Sequence, residues 1–125
     1  MLTDQQAIAT IAVKDLAGAR KFYEEVLGLK VKDTQGSEAI TFQTGASSLI
    51  VYRSQFAGTN RATAVNWSVG SAIDRIVQGL QERGVKFERY EMPGVTHQGA
   101  IHAFGAFKSA WFTDPDGNIH SLMSG

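Results

Sequence analysis

The chain repeats its own order of strand, helix and turn residues at a spacing of 56 residues. In both halves a short apolar run is followed by a helix-capping residue, a helical stretch and a glycine. The matched pairs are Val13 and Val69, Asp15 and Ser71, Gly28 and Gly84, and Lys30 and Lys86. Side-chain identity between the halves is low, yet the whole frame agrees. Agreement across a complete frame indicates duplication of one supersecondary unit.

The first copy has the pattern of a strand, a helix and three further strands. Residues 7–13 form an apolar run typical of a strand, and Asp15 is predicted to cap a helix over 16–27 that Gly28 ends. Three strands are then predicted, separated by turn-forming residues, at 29–32, 38–43 and 47–53.

The second copy follows the same order until its middle. A strand at 64–69 precedes Ser71, which is predicted to cap a helix that Gly84 ends. Further strands are predicted at 85–90, 109–113 and 118–123, the last two joined by a turn at 114–117 with Pro and Gly in turn positions. Between the strands predicted at 85–90 and 109–113, residues 92–107 are rich in glycine and are predicted to form a long loop. A loop of this length is usually functional or mobile.

Composition limits the class of protein. The chain has 125 residues, 43% of them hydrophobic and 19% charged, which predicts one globular domain over 1–125, with module one at about 5–55 and module two at about 62–124. A net charge of zero argues against nucleic acid or an anionic membrane as partner. The absence of cysteine excludes disulfides, thiolate metal sites and cysteine nucleophiles. No signal peptide is recognisable, so we expect a cytoplasmic protein.

Two segments carry a resemblance to a known family. Residues 11–16 (IAVKDL) and 20–29 (RKFYEEVLGL) resemble the V-x-D-L-x-x-(A/S)-x-x-F-Y-x-x-x-L-G-(L/F) signature of the vicinal oxygen chelate superfamily, and residues 110–118 (AWFTDPDGN) resemble its closing signature. That superfamily includes glyoxalase I, bleomycin-resistance proteins and extradiol dioxygenases. The resemblance implies an α+β fold of two tandem βαβββ modules. It further implies that their mixed sheet curls into a cup around a ligand cavity, with the helices outside. Many relatives are homodimers, and we expect a homodimer here.

The family's metal positions hold unsuitable residues. Catalytic members usually bind a divalent metal through His, Gln or Glu on the first and last strands of each module. Carried over to this sequence, those positions are Ile8, Ile50 or Tyr52, Ala64 and Ser121. Isoleucine and alanine have no donor atom, and serine is a poor ligand for a divalent cation. We therefore expect no cofactor, with a divalent metal as the disfavoured alternative.

Strand alternation predicts which side chains line the cavity. The candidates for ligand binding are Ile8, Thr10, Ile50, Tyr52, Asn66, Trp111 and Ser121. The alternative is that the polar members are ordinary satisfied groups and that Tyr52 is a cross-strand aromatic residue. Trp67 has the opposite parity and is predicted to pack beneath a helix. His120 is predicted to be exposed or to face a helix, and Arg53 to be solvated.

His97 and His102 are the weak candidates for catalysis. They lie five residues apart in the predicted loop, which is not a recognised metal spacing. They are interpreted either as an acid–base pair that closes over a ligand, or as solvated loop residues.

Three functions remain open from the sequence. The first is metal-independent binding of a small organic molecule, neutral or aromatic. The second is a glyoxalase-type lyase, isomerase or dioxygenase, with non-standard metal ligands or metal-free acid–base catalysis. The third is an accessory interaction module.

Overall fold

The chain is organised as two compact units, Met1–Thr59 and Asn60–Gly125, in a computed structural model that describes residues 1–125. Each unit contains one sheet and one α-helix. The predicted α+β class and the repeated strand–helix–strand frame are therefore confirmed. Neither helix has the length and apolar character that crossing a membrane would require.

Unit 1 has the predicted βαβββ order. Its elements are β1 (Ala9–Val13), α1 (Leu16–Lys21), β2 (Lys30–Gln35), β3 (Ala39–Thr44) and β4 (Ser47–Arg53). The strands lie in the order β1-β4-β3-β2, with β1 parallel to β4 and the other pairs antiparallel. Alternate residues of β1, β3 and β4 form the buried core together with Ala19 and Tyr23: Ile11, Val13, Ile40, Phe42, Leu49 and Val51.

The first helix differs from its prediction in its second half. After α1 the chain continues as a π-helical segment over Phe22–Val26, in which the Leu27 amide donates to the Phe22 carbonyl. The wider turn buries Tyr23 completely, with its ring centroid 5.8 Å from that of Phe42. Asp15 does occupy the capping position, but its carboxylate makes no capping hydrogen bond. Gly28, with φ of 75°, ends the helix as predicted.

Unit 2 contains six strands and one helix. They are β5 (Thr63–Ser68), α2 (Ile73–Glu82), β6 (Phe87–Glu88), β7 (Thr96–Gln98), β8 (Ile101–Phe104), β9 (Phe107–Thr113) and β10 (Ile119–Met123). The strand order is β5-β10-β9-β8-β7, and β6 also pairs with β9. As in unit 1, the first and last strands pair in parallel.

The prediction of a long loop over 92–107 is wrong. This segment contains β7 and β8, which form an antiparallel hairpin around Gly99, whose φ is 63°. The hairpin joins the sheet because β8 pairs with β9 and buries Ile101 and Ala103. The strand predicted at 85–90 is correspondingly reduced to the two residues of β6.

The predicted cap at Ser71 is also wrong. Ser71 lies inside a 3₁₀ turn, Gly70–Ala72, that leads into α2, and no side chain caps the helix. The carboxylate of Asp74, in the first turn of α2, accepts a hydrogen bond from Lys108 Nζ of β9 at 3.1 Å.

The turn at 114–117 is confirmed. The Gly117 amide donates to the Asp114 carbonyl at 3.0 Å, and Gly117 has a φ of 89°. The Asp114 carboxylate also accepts hydrogen bonds from the amides of Asp116 and Asn118 and from the Asn118 side chain, at 2.8–3.0 Å. The side chain of Asp114 therefore organises the connection between β9 and β10.

Candidate binding site

The unit 1 candidates lie mostly on the sheet face that is turned away from the buried core. Thr10 is paired with Ile50 across β1 and β4, and both alternate with core residues. Tyr52 follows on the same face and is 40% exposed. Ile8 precedes β1 and is exposed, and its carbonyl accepts a hydrogen bond from the Thr10 hydroxyl at 3.2 Å. This face of unit 1 therefore carries aliphatic side chains, the Thr10 hydroxyl and one exposed aromatic side chain.

The unit 2 candidates form one row across three strands. Asn66 of β5, Ser121 of β10 and Trp111 of β9 are consecutive partners in the sheet register, so their side chains share a face. Asn66 is exposed, Trp111 is half-buried and Ser121 is buried. The Ser121 hydroxyl lies 3.4 Å from that of Ser109, which also donates to the Leu122 carbonyl. The row combines an aromatic ring with uncharged polar groups.

The hairpin adds further rings beside Trp111. The Trp111 ring is nearly perpendicular to those of Tyr90 and His102, with centroids 5.2 and 4.9 Å away. His97 is the register partner of His102, and their ring centroids are 4.8 Å apart. We name these four residues the aromatic cluster. It brings together three sequence candidates, Trp111, His97 and His102, with one residue, Tyr90, that the sequence reasoning missed.

Both histidines of the cluster bind the backbone of Tyr90. The Tyr90 amide donates to His102 Nε2 at 2.8 Å, and the Tyr90 carbonyl lies 3.0 Å from His97 Nε2. A carbonyl only accepts, so His97 Nε2 carries a proton. An amide only donates, so His102 Nε2 is unprotonated and the neutral ring carries its proton on Nδ1. In this arrangement His102 has no lone pair available for a metal or for accepting a proton from a substrate.

Burial defines the electrostatics of the cluster. His102 is fully buried, so the interpretation as a solvated loop residue is wrong for it. Burial lowers the pKa of His102, and the nearby His97 and Arg89 lower it further, while the backbone of Ala100 and Tyr90 opposes the change. The Ala100 backbone does not complete a hydrogen bond, since His102 Nδ1 is buried without a partner. Burial, aided by Glu88, raises the pKa of Tyr90.

His120 and Trp67 lie on the opposite face of the same sheet. The Trp67 indole donates to His120 Nδ1 at 3.0 Å, and the His120 ring stacks on Phe112 at 4.9 Å between centroids. Burial lowers the pKa of His120 to about 4, although the nearby Asp114 acts in the other direction. His120 is therefore a neutral core residue.

The residues at the family's metal positions do not fit a divalent ion. Ile8, Ile50 and Ala64 offer no side-chain donor, and the Ser121 hydroxyl is turned to another hydroxyl. Tyr52, the alternative to Ile50, offers a single phenol oxygen on an exposed side chain. No group of three or more His, Cys, Asp or Glu side chains in the chain is arranged to hold a metal. A hard divalent cation requires several oxygen or imidazole ligands, and this donor set does not supply them.

Comparisons with known proteins agree with the architecture. The family model described as Glyoxalase/Bleomycin resistance protein/Dioxygenase superfamily matches residues 5–120. No curated protein sequence matches the chain. Among solved structures, lactoylglutathione lyase from Agrobacterium tumefaciens has 17% identity and a TM-score of 0.72, over 98% of this chain and 95% of that one.

Two further structures are similar. The fosfomycin resistance protein FosX from Listeria monocytogenes has 18% identity and a TM-score of 0.69, over 100% of this chain and 93% of that one. A glyoxalase/bleomycin resistance protein/dioxygenase from Alicyclobacillus acidocaldarius has 18% identity and a TM-score of 0.70, over 96% and 90%. At these identities the likeness shows the fold alone. Because the family model covers nearly the whole sequence and the fold agrees with it, this chain belongs to the glyoxalase/bleomycin resistance protein/dioxygenase superfamily.

Proposed function

We propose that the chain binds a small, neutral aromatic molecule against the aromatic cluster of unit 2, without a divalent metal. The observation that carries this proposal is the half-buried Trp111 ring, held between Tyr90 and His102 and followed in the same row by Ser121 and Asn66. Small-molecule sites typically combine apolar or aromatic walls with a few placed polar groups.

The chemistry of this face favours an uncharged ligand. Glu88, the register partner of Trp111, is the only charged side chain in the row, and it is exposed. The cation of Arg89, which follows β6, is engaged by Glu91 at 3.3 Å. The face supplies rings for stacking, with an indole N–H and an amide for hydrogen bonds. A planar heterocycle that carries a carbonyl or ring nitrogen matches both.

Metal independence is supported by the donor set and by the histidine tautomers. The family positions lack ligands, and the hydrogen bond from the Tyr90 amide occupies the unprotonated nitrogen of His102. The same bond argues against the alternative of a His97–His102 acid–base pair, because His102 Nε2 is held as the acceptor of the Tyr90 amide and cannot take up a proton without losing that bond.

The test is NMR of the indole N–H signals with a neutral probe, 2-quinolone, and a charged analogue, quinoline-2-carboxylate. We expect 2-quinolone to shift the Trp111 signal and to leave the Trp67 signal, which is bonded to His120, in place. Trp111→Leu abolishes the binding, whereas Tyr52→Leu on the open face of unit 1 leaves it unchanged.

Two results would overturn the proposal. One is a Trp111 signal that responds to neither probe nor to any neutral bicyclic heterocycle. The other is a stoichiometric divalent ion in native mass spectra of the gently purified protein, which would also report the number of subunits and any retained organic molecule.

A further inference from the structure

We propose that His97 and His102 form a clip on the backbone of Tyr90 which positions the Tyr90 ring against Trp111, and that protonation of His102 opens it. The clip comprises the two imidazoles and the Tyr90 amide and carbonyl. The effect of opening on ligand affinity rests on the proposed function, because Tyr90 and Trp111 form the wall of the proposed binding site. The opening itself does not depend on any ligand.

The clip replaces part of a β-ladder. Strand β6 ends at Glu88, so the Tyr90 peptide has no partner strand. An unpaired backbone N–H or C=O away from water is costly. Here one imidazole accepts from the amide at 2.8 Å and the other lies 3.0 Å from the carbonyl. Two side chains of the hairpin therefore hold Tyr90 in line with β6, with its ring 5.2 Å from that of Trp111.

Protonation is incompatible with this geometry. A proton on His102 Nε2 would point at the Tyr90 amide hydrogen, so an attractive contact becomes a repulsive one. The backbone of Ala100 and Tyr90 favours a proton on His102, but burial and the charged groups around the ring outweigh it, so the pKa of His102 is lowered. His97 faces it from β7 and Arg89 acts from the segment after β6, and both disfavour a positive charge on His102. Tyr90 remains neutral, and the β9 neighbours, Ser109 and Trp111, do not titrate.

The closed clip also holds one unpaired donor. His102 Nδ1 is buried without a hydrogen-bond partner, which is rare in folded proteins and costs free energy. Opening would expose this N–H to water. The protonation state of His102 therefore decides which state is favoured. The neutral ring gains the Tyr90 bond in the closed state, and the charged ring gains solvation in the open state.

The direction of the pH dependence follows from the lowered pKa of His102 in the closed state. A histidine whose pKa lies below its ordinary value stabilises the closed state above that ordinary value, near 6.5. That stabilisation is lost as the pH falls toward the lowered pKa. Acid opens the clip, and neutral pH closes it.

The test uses the ligand-free protein and amide hydrogen exchange read by NMR. We expect protection of the Tyr90 amide, relative to that of Leu122 in β10, to fall about tenfold or more between roughly pH 7.5 and pH 5. The loss should follow the protonation of His102 Nε2, which ¹⁵N chemical shifts report in the same samples. If His102 Nε2 becomes protonated while the Tyr90 amide stays protected, or the loss follows His97 alone, the proposal is wrong.

Two substitutions distinguish a role of His102 as the hydrogen-bond acceptor that positions Tyr90 from a role as a packed ring alone. His102→Gln places an amide oxygen near the position of Nε2 and cannot titrate, so Tyr90 protection should stay within about twofold across the same pH range. His102→Phe keeps a ring but removes the acceptor, so protection should be low at every pH. An equal acid-induced loss in wild type and His102→Gln would contradict the proposal. So would a His102→Phe variant that folds and protects Tyr90 as wild type does.

Failure of the clip and failure of the proposed function are distinguishable. Loss of Tyr90 protection is measured without ligand, and 2-quinolone binding is measured at neutral pH with the clip closed. If both proposals hold, 2-quinolone affinity falls with acid in wild type and not in His102→Gln.

Discussion

The two units share a strand order but differ on the sheet face that is turned away from the core. In unit 1 this face carries Thr10, Ile50 and the exposed Tyr52, and a tight turn joins β2 to β3. In unit 2 the corresponding connection is expanded into the β7–β8 hairpin, which supplies His97 and His102 and supports Tyr90. The same frame therefore occurs twice, and the aromatic cluster lies where the second copy contains an additional hairpin.

The histidines show the same asymmetry. The chain contains three, at 97, 102 and 120, and all lie in unit 2. Two of them are fully buried, one on each face of that sheet. Unit 1 therefore has no imidazole, whereas unit 2 has three, so the units should respond differently to acid.

The largest difference between the units is expected in how much stability is lost when one aspartate of each unit is replaced by alanine. Asp114 in unit 2 is 4% exposed and accepts three hydrogen bonds, and Asp33 in unit 1 is exposed and accepts two. Asp114→Ala should lower the free energy of unfolding by about 3 to 4 kcal/mol, because it leaves buried donors unpaired. Asp33→Ala should lower it by less than about 1 kcal/mol, since water replaces the carboxylate. Urea unfolding at neutral pH measures the free energy of unfolding of both variants. Equal decreases in the two variants would contradict this prediction.

A second contrast is the pH dependence of stability that His120 gives to unit 2. Its pKa is about 4 in the folded protein and near 6.5 when unfolded, so the unfolded chain takes up the proton first. The resulting stability is present above pH 6.5 and is lost as the pH falls toward 4. The loss attributable to His120 should be about 2 kcal/mol at roughly pH 5.

The measurement is the free energy of unfolding of wild type and of His120→Phe as a function of pH. The variant loses the bond from Trp67 at every pH but keeps the contact with Phe112, so only its pH dependence is compared. The difference between the two proteins should narrow with acid. A constant difference down to about pH 5 would show that His120 is not the cause.

The smallest effects are expected at exposed ion pairs. Asp74 and Lys108 join α2 to β9 at 3.1 Å, and Glu38 and Arg53 join strand ends in unit 1 at 2.8 Å. Asp74→Asn should cost about 0.5 kcal/mol, and the cost should shrink as salt is added. Arg53→Gln should be indistinguishable from wild type in the same unfolding experiment. A loss at Arg53 that resembles the one expected at Asp114 would contradict this ranking.

Local signals in the sequence predicted most of the frame. Gly28 and Gly84 both have positive φ at the ends of the helices, and the 47–53 strand has its predicted limits. These features depend on the conformational preferences of individual residues and their near neighbours in the sequence, such as the preference of glycine for positive φ. The π-helical segment has no such signal, because the apolar residues over 16–27 are also compatible with an uninterrupted α-helix.

The aromatic cluster was only partly predictable. Strand parity correctly gave Trp111, Ser121 and Asn66 a common face. It could not give Tyr90, whose place depends on two histidines from a hairpin that was predicted to be a loop. A signal for β8 was available, since residues 101–104 are mostly apolar and lie between Gly99 and Gly105, both with positive φ. Their pairing with β9 is a long-range property that local patterns do not encode.

The parallel pairing of the first and last strands has a consequence for how the chain folds. Thr10 pairs with Ile50 in unit 1, and Asn66 pairs with Ser121 in unit 2, so each sheet is completed only across most of its own length of chain. Bringing such distant partners together costs chain entropy that local contacts do not repay. During synthesis β10 follows β5 by most of the length of unit 2, and β5 lacks its partner strand until β10 has emerged from the ribosome. Unit 1 should therefore close well before unit 2, so the unit that carries the proposed binding site should become ordered after unit 1.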